Sequence, residues 1–244
     1  MKIRFLGQGG WLFEKDGFKI MIDPYLSDSV EKINPKNFRR VPVDKSLFEL
    51  KPDVMIFTHN HLDHYDPETV SRFIKEDTEI TVLAPSSVWD DVRKIGGGNN
   101  YVLFNRGTSW TENDIRFTAV KAEHSDESAI GVIIDDINKK YYITGDTLYN
   151  EEIFKDIPDD IFALFIPVNG VGNNMNMADA KAFCDRVAPK IVVPMHCGMF
   201  DEIKVENFNC ENKVIAEIYK ELLDKASEKQ INVRNIQFLK EMYI

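Results

Sequence analysis

The sequence lacks any long uninterrupted apolar segment. None of its hydrophobic runs approaches the roughly 20 residues that a helix needs to cross a bilayer. The first residues, MKIRFLGQGGWLFEKDG, are interrupted by charge at Glu14, Lys15 and Asp16, so they do not match the apolar core of a secretion signal. We therefore expect a cytoplasmic protein that has no membrane partner.

Cysteines are few, and basic residues are outnumbered by acidic ones. The three cysteines, Cys184, Cys197 and Cys210, are odd in number and form no CxxC pair, which indicates a reducing compartment without a disulfide framework. Acidic residues outnumber basic ones by 40 to 30, and the formal charge is −10. Nucleic-acid binding needs a basic surface that displaces counterions from phosphates, so this composition argues against a nucleic-acid partner.

The chain has 244 residues, of which 43% are hydrophobic and 29% charged, an ordinary balance for a globular protein. No low-complexity tract or shift in composition marks a linker, so we interpret residues 1–244 as a single domain. Many short apolar segments follow one another, and only some of them are separated by helical patterns. This arrangement predicts a layered α/β protein rather than a barrel of strictly alternating strands and helices.

Several local patterns place individual elements. Asp16-Gly17 between the apolar runs WLFEK and FKIMID predicts a β-hairpin. The segment DVMIFT (53–58) is apolar enough to predict a fully buried strand. Residues 25–47 are polar and predict a long loop, whereas residues 211–230 carry one apolar stripe and predict a helix.

The few histidines are concentrated in one place. Three of the five, His59, His61 and His64, fall within six residues of the stretch THNHLDHYD. This stretch directly follows the predicted strand DVMIFT, and Asp66 with Pro67 predicts that a helix begins after it. A tight loop between a strand and a helix therefore carries most of the imidazole groups of the chain.

The other two histidines and one aspartate follow other predicted strands. His124 comes after IRFTAVKA, Asp146 after KYYITG and His196 after KIVVPM. Because ligand sites in α/β sheets form where loops converge beyond strand ends, we expect these side chains to meet the histidine loop. Taken singly, each histidine would more often be a hydrogen-bonded polar residue, and Asp146 a turn residue. That interpretation does not explain why all five histidines follow strands.

Imidazole and carboxylate groups are ligands that zinc, manganese and iron prefer. On the loop, His59 with His61 and Asp63 with His64 can face two pockets, and Asp146 can bridge two cations roughly 3.5–4 Å apart. We therefore predict two divalent metal ions, zinc by preference, with manganese or iron as alternatives. Their charge exceeds that of two aspartates and a bridging hydroxide, so the centre would favour a small anionic or carbonyl-bearing substrate.

These residues carry a family resemblance. HNHLDH matches the HxHxDH motif of the metallo-β-lactamase superfamily, and the phrases FLGQGGWLFE, IDP, TGDT and PMHCG extend the resemblance over essentially the whole chain. The resemblance implies an αββα sandwich, in which helices flank two mixed sheets and the metals lie at one edge between them. It also implies the ligands, which are His59, His61 and His124 for one metal, Asp63, His64 and His196 for the second, and Asp146 as the bridge.

Within the superfamily, the sequence looks most like the group that contains L-ascorbate-6-phosphate lactonase. True β-lactamases have Cys or His where Asp146 stands, and glyoxalase II has a Gly-Gly pair where this chain has Tyr65-Asp66. The resemblance implies hydrolysis of a lactone, another ester or a phosphorus centre, with Asp63 orienting the attacking hydroxide and passing a proton to the leaving group. The alternatives are a phosphodiesterase or nuclease, a mono-iron persulfide dioxygenase, and a non-catalytic metal-binding module.

Other polar residues near these motifs have two interpretations each. Asp23 braces a ligand histidine or forms a turn hydrogen bond. Arg39 and Arg40 grip an anionic substrate or, as we favour, form a solvated surface pair. Asn169-Gly170 and the polar run 173–176 wall the pocket or form a plain loop, and Cys197 is interpreted as a small buried residue rather than a ligand.

Overall fold

The computed structural model describes residues 1–39, 42–196 and 200, together with the backbone of residues 232–233 and 241–243. In this part of the chain, strands form two sheets of seven strands each. The strands are β1 (Lys2–Gly7), β2 (Gly10–Lys15), β3 (Phe18–Ile22), β4 (Val54–Ile56), β5 (Thr81–Ala84), β6 (Asn100–Leu103), β7 (Ser109–Glu112), β8 (Ile115–Lys121), β9 (Ile130–Asp135), β10 (Lys140–Ile143), β11 (Ile161–Pro167), β12 (Ile191–Met195), β13 (Asn232–Val233) and β14 (Glu241–Tyr243). The α-helices are α1 (Ser29–Ile33), α2 (Pro67–Phe73), α3 (Ser86–Val92) and α4 (Met177–Val187).

Both sheets follow the same plan, in which an antiparallel half is continued by a parallel half. The first sheet has the order β14-β1-β2-β3-β4-β5-β6, and its strands pair antiparallel up to β3 and parallel from β3 to β6. The second sheet has the order β13-β12-β11-β10-β9-β8-β7, antiparallel from β7 to β10 and parallel from β10 to β13. Each parallel half gathers the carboxyl ends of its strands at one edge.

The predicted hairpin joins β2 to β3 through Asp16 and Gly17. Both residues have a positive φ, 53° and 88°, which is the backbone conformation that a two-residue type I′ turn requires. Trp11 pairs with Ile22 as a result, and Trp11 and Phe13 face the core between the sheets. A local turn signal thus fixes which side chains of the hairpin are buried.

Aromatic rings dominate the core between the two sheets. Trp11 and Phe13 of β2 both meet Phe165 of β11 edge to face, with ring centroids 4.7 and 5.5 Å apart. All three side chains are fully buried. Rings of this size bury a large apolar area and prefer this geometry, so they hold the sheets together with a defined separation.

Helices cover the outer face of each sheet. Val70 and Phe73 of α2 pack with Val88 of α3 against the first sheet. Phe183 of α4 packs with Leu164 of β11 against the second sheet. The resulting four layers confirm the αββα sandwich with two mixed sheets that the family resemblance implies.

The segment 25–47 is not wholly a loop, because it contains α1 and the start of a 3-10 helix at Lys45. A five-residue helix is too short to show an apolar period in the sequence. The predicted helix at 211–230 lies outside the described residues, as do Arg40 and Cys197. Among the residues that the structure describes, none belongs to a helix long and apolar enough to cross a membrane.

Phe165→Ala should lower the free energy of unfolding by about 3–5 kcal/mol, because the substitution leaves a cavity beside Trp11 and Phe13. Urea denaturation followed by circular dichroism measures the change. Ile33→Ala is the control, since that side chain is 78% exposed and its loss should cost less than about 0.5 kcal/mol. Equal effects of the two substitutions would contradict the proposed role of the aromatic core.

Candidate metal centre

The residues singled out in the sequence lie at one edge of the sandwich. His59 lies just beyond β4 in the first sheet. His124, Asp146 and His196 lie just beyond β8, β10 and β12 in the second. The structure brings these strand ends together, so that both sheets contribute side chains to a single cluster.

Two backbone hydrogen bonds join the sheets at this edge. The N–H of Ile130 donates to the carbonyl of Thr58, and the N–H of His196 donates to the carbonyl of Gln8, each over 3.0 Å. Because both bonds lie next to residues of the cluster, the position of one sheet fixes the position of the other where the site forms. The scaffold is therefore set before any ligand binds.

The histidine loop folds into a tight turn. The N–H groups of His64 and of the residue after it both donate to the carbonyl of His61, over 3.0 and 2.8 Å. Asp66 then caps the first turn of α2 with its side chain, and Pro67 occupies the beginning of that helix. The turn and the cap hold the loop against the end of β4. The cap also confirms the helix start that the sequence predicted.

The first candidate group consists of His59, His61, His124 and Asp146. Their potential ligand atoms all lie within 4.8 Å of one another. Nδ1 of His61 is 3.1 Å from Nε2 of His124, and Nε2 of His59 is 4.0 Å from Oδ2 of Asp146. Two imidazole nitrogens this close are stable only when a proton or a cation lies between their lone pairs.

The second candidate group consists of Asp63, His64 and His196, again with potential ligand atoms within 4.8 Å of one another. Nε2 of His64 is 3.2 Å from Nε2 of His196. Oδ2 of Asp63 is 3.4 Å from the same nitrogen of His196 and 3.9 Å from that of His64. This group could hold a second cation beside the first.

Asp146 lies between the two groups and is buried. Its Oδ1 is 3.3 Å from Nε2 of His64, and its Oδ2 is 3.2 Å from Nε2 of His196. The same Oδ2 is 4.0 Å from Nε2 of His59 in the first group. Asn174 donates to it over 2.9 Å and so fixes the carboxylate. A carboxylate within reach of both groups is what a bridging ligand requires.

Each histidine of the cluster turns one ring nitrogen towards the centre and the other towards an outer partner. Such partners fix the tautomer and the ring orientation of metal-binding imidazoles. The outer contacts are His59 Nδ1 with Thr58 Oγ1 at 3.0 Å, His61 Nε2 with Ser125 Oγ at 3.2 Å, His64 Nδ1 with Asp23 Oδ2 at 2.8 Å, His124 Nδ1 with the carbonyl of Asn173 at 3.2 Å, and His196 Nδ1 with Nδ2 of Asn169 at 3.0 Å. These outer contacts therefore hold the five rings so that each presents one nitrogen to the centre.

Asp23 acts as a brace rather than as a simple turn residue. Its carboxylate accepts hydrogen bonds from the backbone N–H and the hydroxyl of Thr58, over 2.8 and 2.5 Å. The same carboxylate faces Nδ1 of His64 at 2.8 Å. Asp23 therefore orients His64 directly and, through the hydroxyl of Thr58, also His59.

Asn169 and the run 173–176 line the centre, which supports their interpretation as a wall of the pocket. Nδ2 of Asn169 lies close to Nδ1 of His196, whereas its Oδ1 is buried and has no hydrogen-bond partner among the described residues. Turning the carboxamide by half a turn exchanges these two atoms. Oδ1 then accepts a hydrogen bond from Nδ1–H, which leaves Nε2 of His196 free to bind a cation.

His59 shows most clearly that the residues fit a metal ion. Its Nε2 is buried and has no hydrogen-bond partner among the described residues. Burial, reinforced by the charge of His64, holds the pKa of His59 well below its usual value, so the ring is neutral. A buried acceptor without a partner costs about 1–3 kcal/mol. A cation bound at this nitrogen would remove that cost.

Protons stabilise the second group when no metal is bound. Against the effect of burial, the carboxylates of Asp146 and Asp63 raise the pKa of His196 to about 10. Burial also lowers the pKa of His64, but the carboxylates of Asp146 and Asp23 outweigh this effect and raise that pKa well above its usual value. The same contacts lower the pKa of Asp63 and of Asp146, although burial opposes this shift too. The second group therefore carries positive charge that a metal ion would replace.

Four residues of the site were not singled out in the sequence, namely Gln8, Gly9, Thr58 and Ser125. Gly9 is needed because a Cβ there would lie 2.5 Å from Cε1 of His64. A glycine, a hydroxyl or an amide beside a ligand has no spacing pattern of its own. Thr58 and Ser125 adjoin His59 and His124 in the sequence, and that adjacency was the one available signal for them. Gln8 and Gly9 lie about 50 positions before the histidine loop and meet the cluster only through folding.

Arg39 is half-buried rather than fully solvated, and Arg40, the other member of the surface pair that we favoured from the sequence, lies outside the described residues. Its Nη1 donates to the carbonyl of Tyr25 over 2.6 Å, and its guanidinium carbon is 4.9 Å from the centre of the Tyr25 ring. Tyr25 in turn contacts Phe200, with ring centroids 5.9 Å apart. Arg39 therefore packs onto the loop that follows β3.

Two mixed sheets, helices outside them and a histidine–aspartate cluster at their common edge together define the metallo-β-lactamase fold. A family model described as the beta-lactamase superfamily domain matches residues 2–196. The chain therefore belongs to the β-lactamase superfamily, and its fold is that of the metal-dependent branch.

Proteins similar to this chain are found in different organisms. The UPF0173 metal-dependent hydrolase of Carboxydothermus hydrogenoformans is 27% identical over 222 residues, which cover 84% of this chain and 88% of that protein. A UPF0173 metal-dependent hydrolase of Staphylococcus aureus is 29% identical over 222 residues, covering 84% and 89%. Among solved structures, a metallo hydrolase from Ignicoccus hospitalis shares the fold, with a TM-score of 0.74, 21% identity and coverage of 99% and 97%.

Zinc added to chelator-treated protein should raise the thermal unfolding temperature, because an ion that binds only the folded state stabilises it. The gain is about 2.7 kcal/mol when the free ion is at 100 times its dissociation constant. Differential scanning calorimetry measures the shift. His61→Ala, which removes a half-exposed imidazole of the first group, should reduce the shift. An equal shift in both proteins would place zinc binding elsewhere.

Proposed function

We propose that this protein is a metal-dependent hydrolase that binds two divalent metal ions, zinc by preference, with manganese or iron as alternatives. The observation that carries the proposal is the buried carboxylate of Asp146, which lies within 4.0 Å of histidines from both groups. The assigned ligands are His59, His61 and His124 for the first ion, Asp63, His64 and His196 for the second, and Asp146 as the bridge. The relatives that carry the name metal-dependent hydrolase support the same class.

A pair of divalent ions supplies an acidified water and an electrophilic contact for the substrate oxygen. The exposure of the cluster residues indicates from which side a substrate can reach the centre. The buried members of the cluster are His59, His64, Asp146 and His196, and the half-exposed members are His61, Asp63 and His124. The mouth of the centre is therefore the side formed by the half-exposed residues.

Asp63 is the carboxylate best placed for proton transfer. Its side chain is 19% exposed, compared with 4% for Asp146, so it faces the mouth of the centre. Its Oδ2 remains 3.4 Å from Nε2 of His196, within the second group. We assign two roles to Asp63, which are to orient the attacking hydroxide and to pass a proton to the leaving group.

The substrate that suits this centre is a small molecule with a lactone, another ester or a phosphorus centre. Two divalent ions outweigh the charge of the two aspartates, so the centre favours an anionic substrate even though the whole chain carries a formal charge of −10. Lactonase-like activity is the first choice because of the motif resemblance, and phosphodiesterase or nuclease activity is the second. The acidic chain disfavours nucleic acid. We propose a cytoplasmic location and no membrane partner.

Two other functions fit the structure less well. A mono-iron persulfide dioxygenase would use three protein ligands and leave the second group, Asp63, His64 and His196, without a role. A module that binds metal only structurally would have closed coordination. Here His61, Asp63 and His124 are partly open to solvent, as a centre that admits substrate requires.

Asp63→Asn should lower turnover by about 10²–10⁴-fold, because the amide cannot take up and release the proton. The measurement uses a panel of lactone, thioester and phosphodiester substrates with zinc or manganese, and the metal content of each protein is determined alongside. Asp90→Asn is the matched control, since Asp90 is exposed and lies on α3. Unchanged turnover of Asp63→Asn at full metal content would remove the proton-transfer role.

Binding of the second ion should strengthen as the pH rises from 7 to 9, by about tenfold per pH unit for each proton displaced. His196, with a pKa of about 10, is protonated over this range and must lose that proton to bind the ion. Burial lowers the pKa of His59 and of His124, so first-ion binding should change little. Calorimetry in buffers of different ionisation enthalpy counts the protons. The same pH dependence for both ions would contradict the assignment.

A further inference from the structure

Gln8 is a buried polar residue of the centre that the seven proposed ligands do not include. It follows β1 directly and is only 1% exposed. Its φ of 53° lies in the left-handed region, which a residue with a side chain adopts at an energetic cost. Strained positions of this kind persist where the surrounding contacts impose them, and they are frequent at functional sites. The contacts of Gln8 therefore indicate which residues this strained conformation holds in place.

Gln8 is bonded to two members of the second group. Its side-chain Nε2 donates to Oδ2 of Asp63 over 2.8 Å. Its backbone carbonyl accepts from the N–H of His196 over 3.0 Å. Asp63 lies on the loop after β4 and His196 lies after β12, so Gln8 connects ligands that belong to different sheets.

The carboxamide of Gln8 also packs on the imidazole of His196. Its Nε2 is 3.1 Å from Nε2 and 3.3 Å from Nδ1 of that ring. A group in the ring plane that faced one nitrogen would be much farther from the other, so the amide lies over the face of the ring. In this position it limits the tilt of the imidazole without occupying the direction in which Nε2 faces Asp146.

The backbone of His196, like that of Gln8, lies in the left-handed region. Its φ is 56°, so the two residues joined by the backbone hydrogen bond both lie in the left-handed region. Each position is held by its bond to the other and by the side-chain contacts of Gln8. Together these contacts fix the direction in which His196 presents Nε2 to the second group.

We propose that Gln8 is a positioning residue for the second metal ion, and that its carboxamide holds Asp63 and His196 in the orientation that binds it. The proposal rests on the two-ion centre described under the proposed function. The contacts named here go to the second group, so removal of the carboxamide should weaken the second ion and spare the first. The amide does not touch the reacting atoms and acts through the two ligands.

Two substitutions separate this role from a general contribution to folding. Gln8→Met keeps the length of the side chain and removes the donor. Gln8→Asn keeps a carboxamide that is one methylene too short to reach Asp63, and asparagine tolerates the left-handed backbone well, so this variant should fold normally. Calorimetric titration of zinc into chelator-treated wild type and both variants gives the affinity of each ion. Absorption spectra of the cobalt-loaded proteins report the coordination of each ion independently of activity.

In both variants the second ion should bind about 10–100-fold more weakly, with unchanged affinity for the first ion. The metal-free unfolding temperature of Gln8→Asn should fall by only about 2–4 °C, as expected for the loss of one hydrogen bond in a domain of this size. Unchanged affinity for the second ion would overturn the proposal, and so would a parallel loss of both ions together with metal-free stability. If the wild type itself bound fewer than two ions, the two-ion function would fail first, which separates the two failures.

Discussion

The structure depends on the buried carboxylate of Asp146 and on the positive charge that must surround it. A buried carboxylate is stable only when it is paired and hydrogen-bonded. The histidines of both groups surround Asp146, with His64 and His196 within 3.3 Å of its oxygens. In the metal-free protein these two rings supply the charge as protons, and under the proposed function metal ions would replace them.

The scaffold around the cluster fixes the rings before a cation arrives. Two sheets with the same plan bring their strand ends to one edge, and backbone hydrogen bonds join them there. Gln8, Asp23 and His196 all lie in the left-handed region at this edge. Their strain is offset by the aromatic core and by the hydrogen bonds that they make, so the ligands need little reorganisation when they bind. A preorganised centre of this kind suits catalysis better than a flexible one.

The sequence predicted what local chemistry determines. Asp16-Gly17 set the hairpin, Asp66 marked the start of α2, and the apolar runs before the histidines placed those residues at strand ends. It could not predict contacts that arise when the sheets pack, such as that between Gln8 and His196, which are 188 positions apart in the chain. Ring orientation and outer partners also depend on that packing. The five-residue helix α1 was missed because it is shorter than two helical turns.

Under the proposed function, the buried carboxylate of Asp146 bridges two metal ions held by both sheets. A crystal structure of the zinc-loaded protein, with anomalous diffraction recorded on both sides of the zinc absorption edge, tests it most directly. We expect two anomalous peaks roughly 3.5–4 Å apart, one beside His59 and the other beside His64, with Asp146 between them. A single peak, or peaks remote from Asp146, would contradict it.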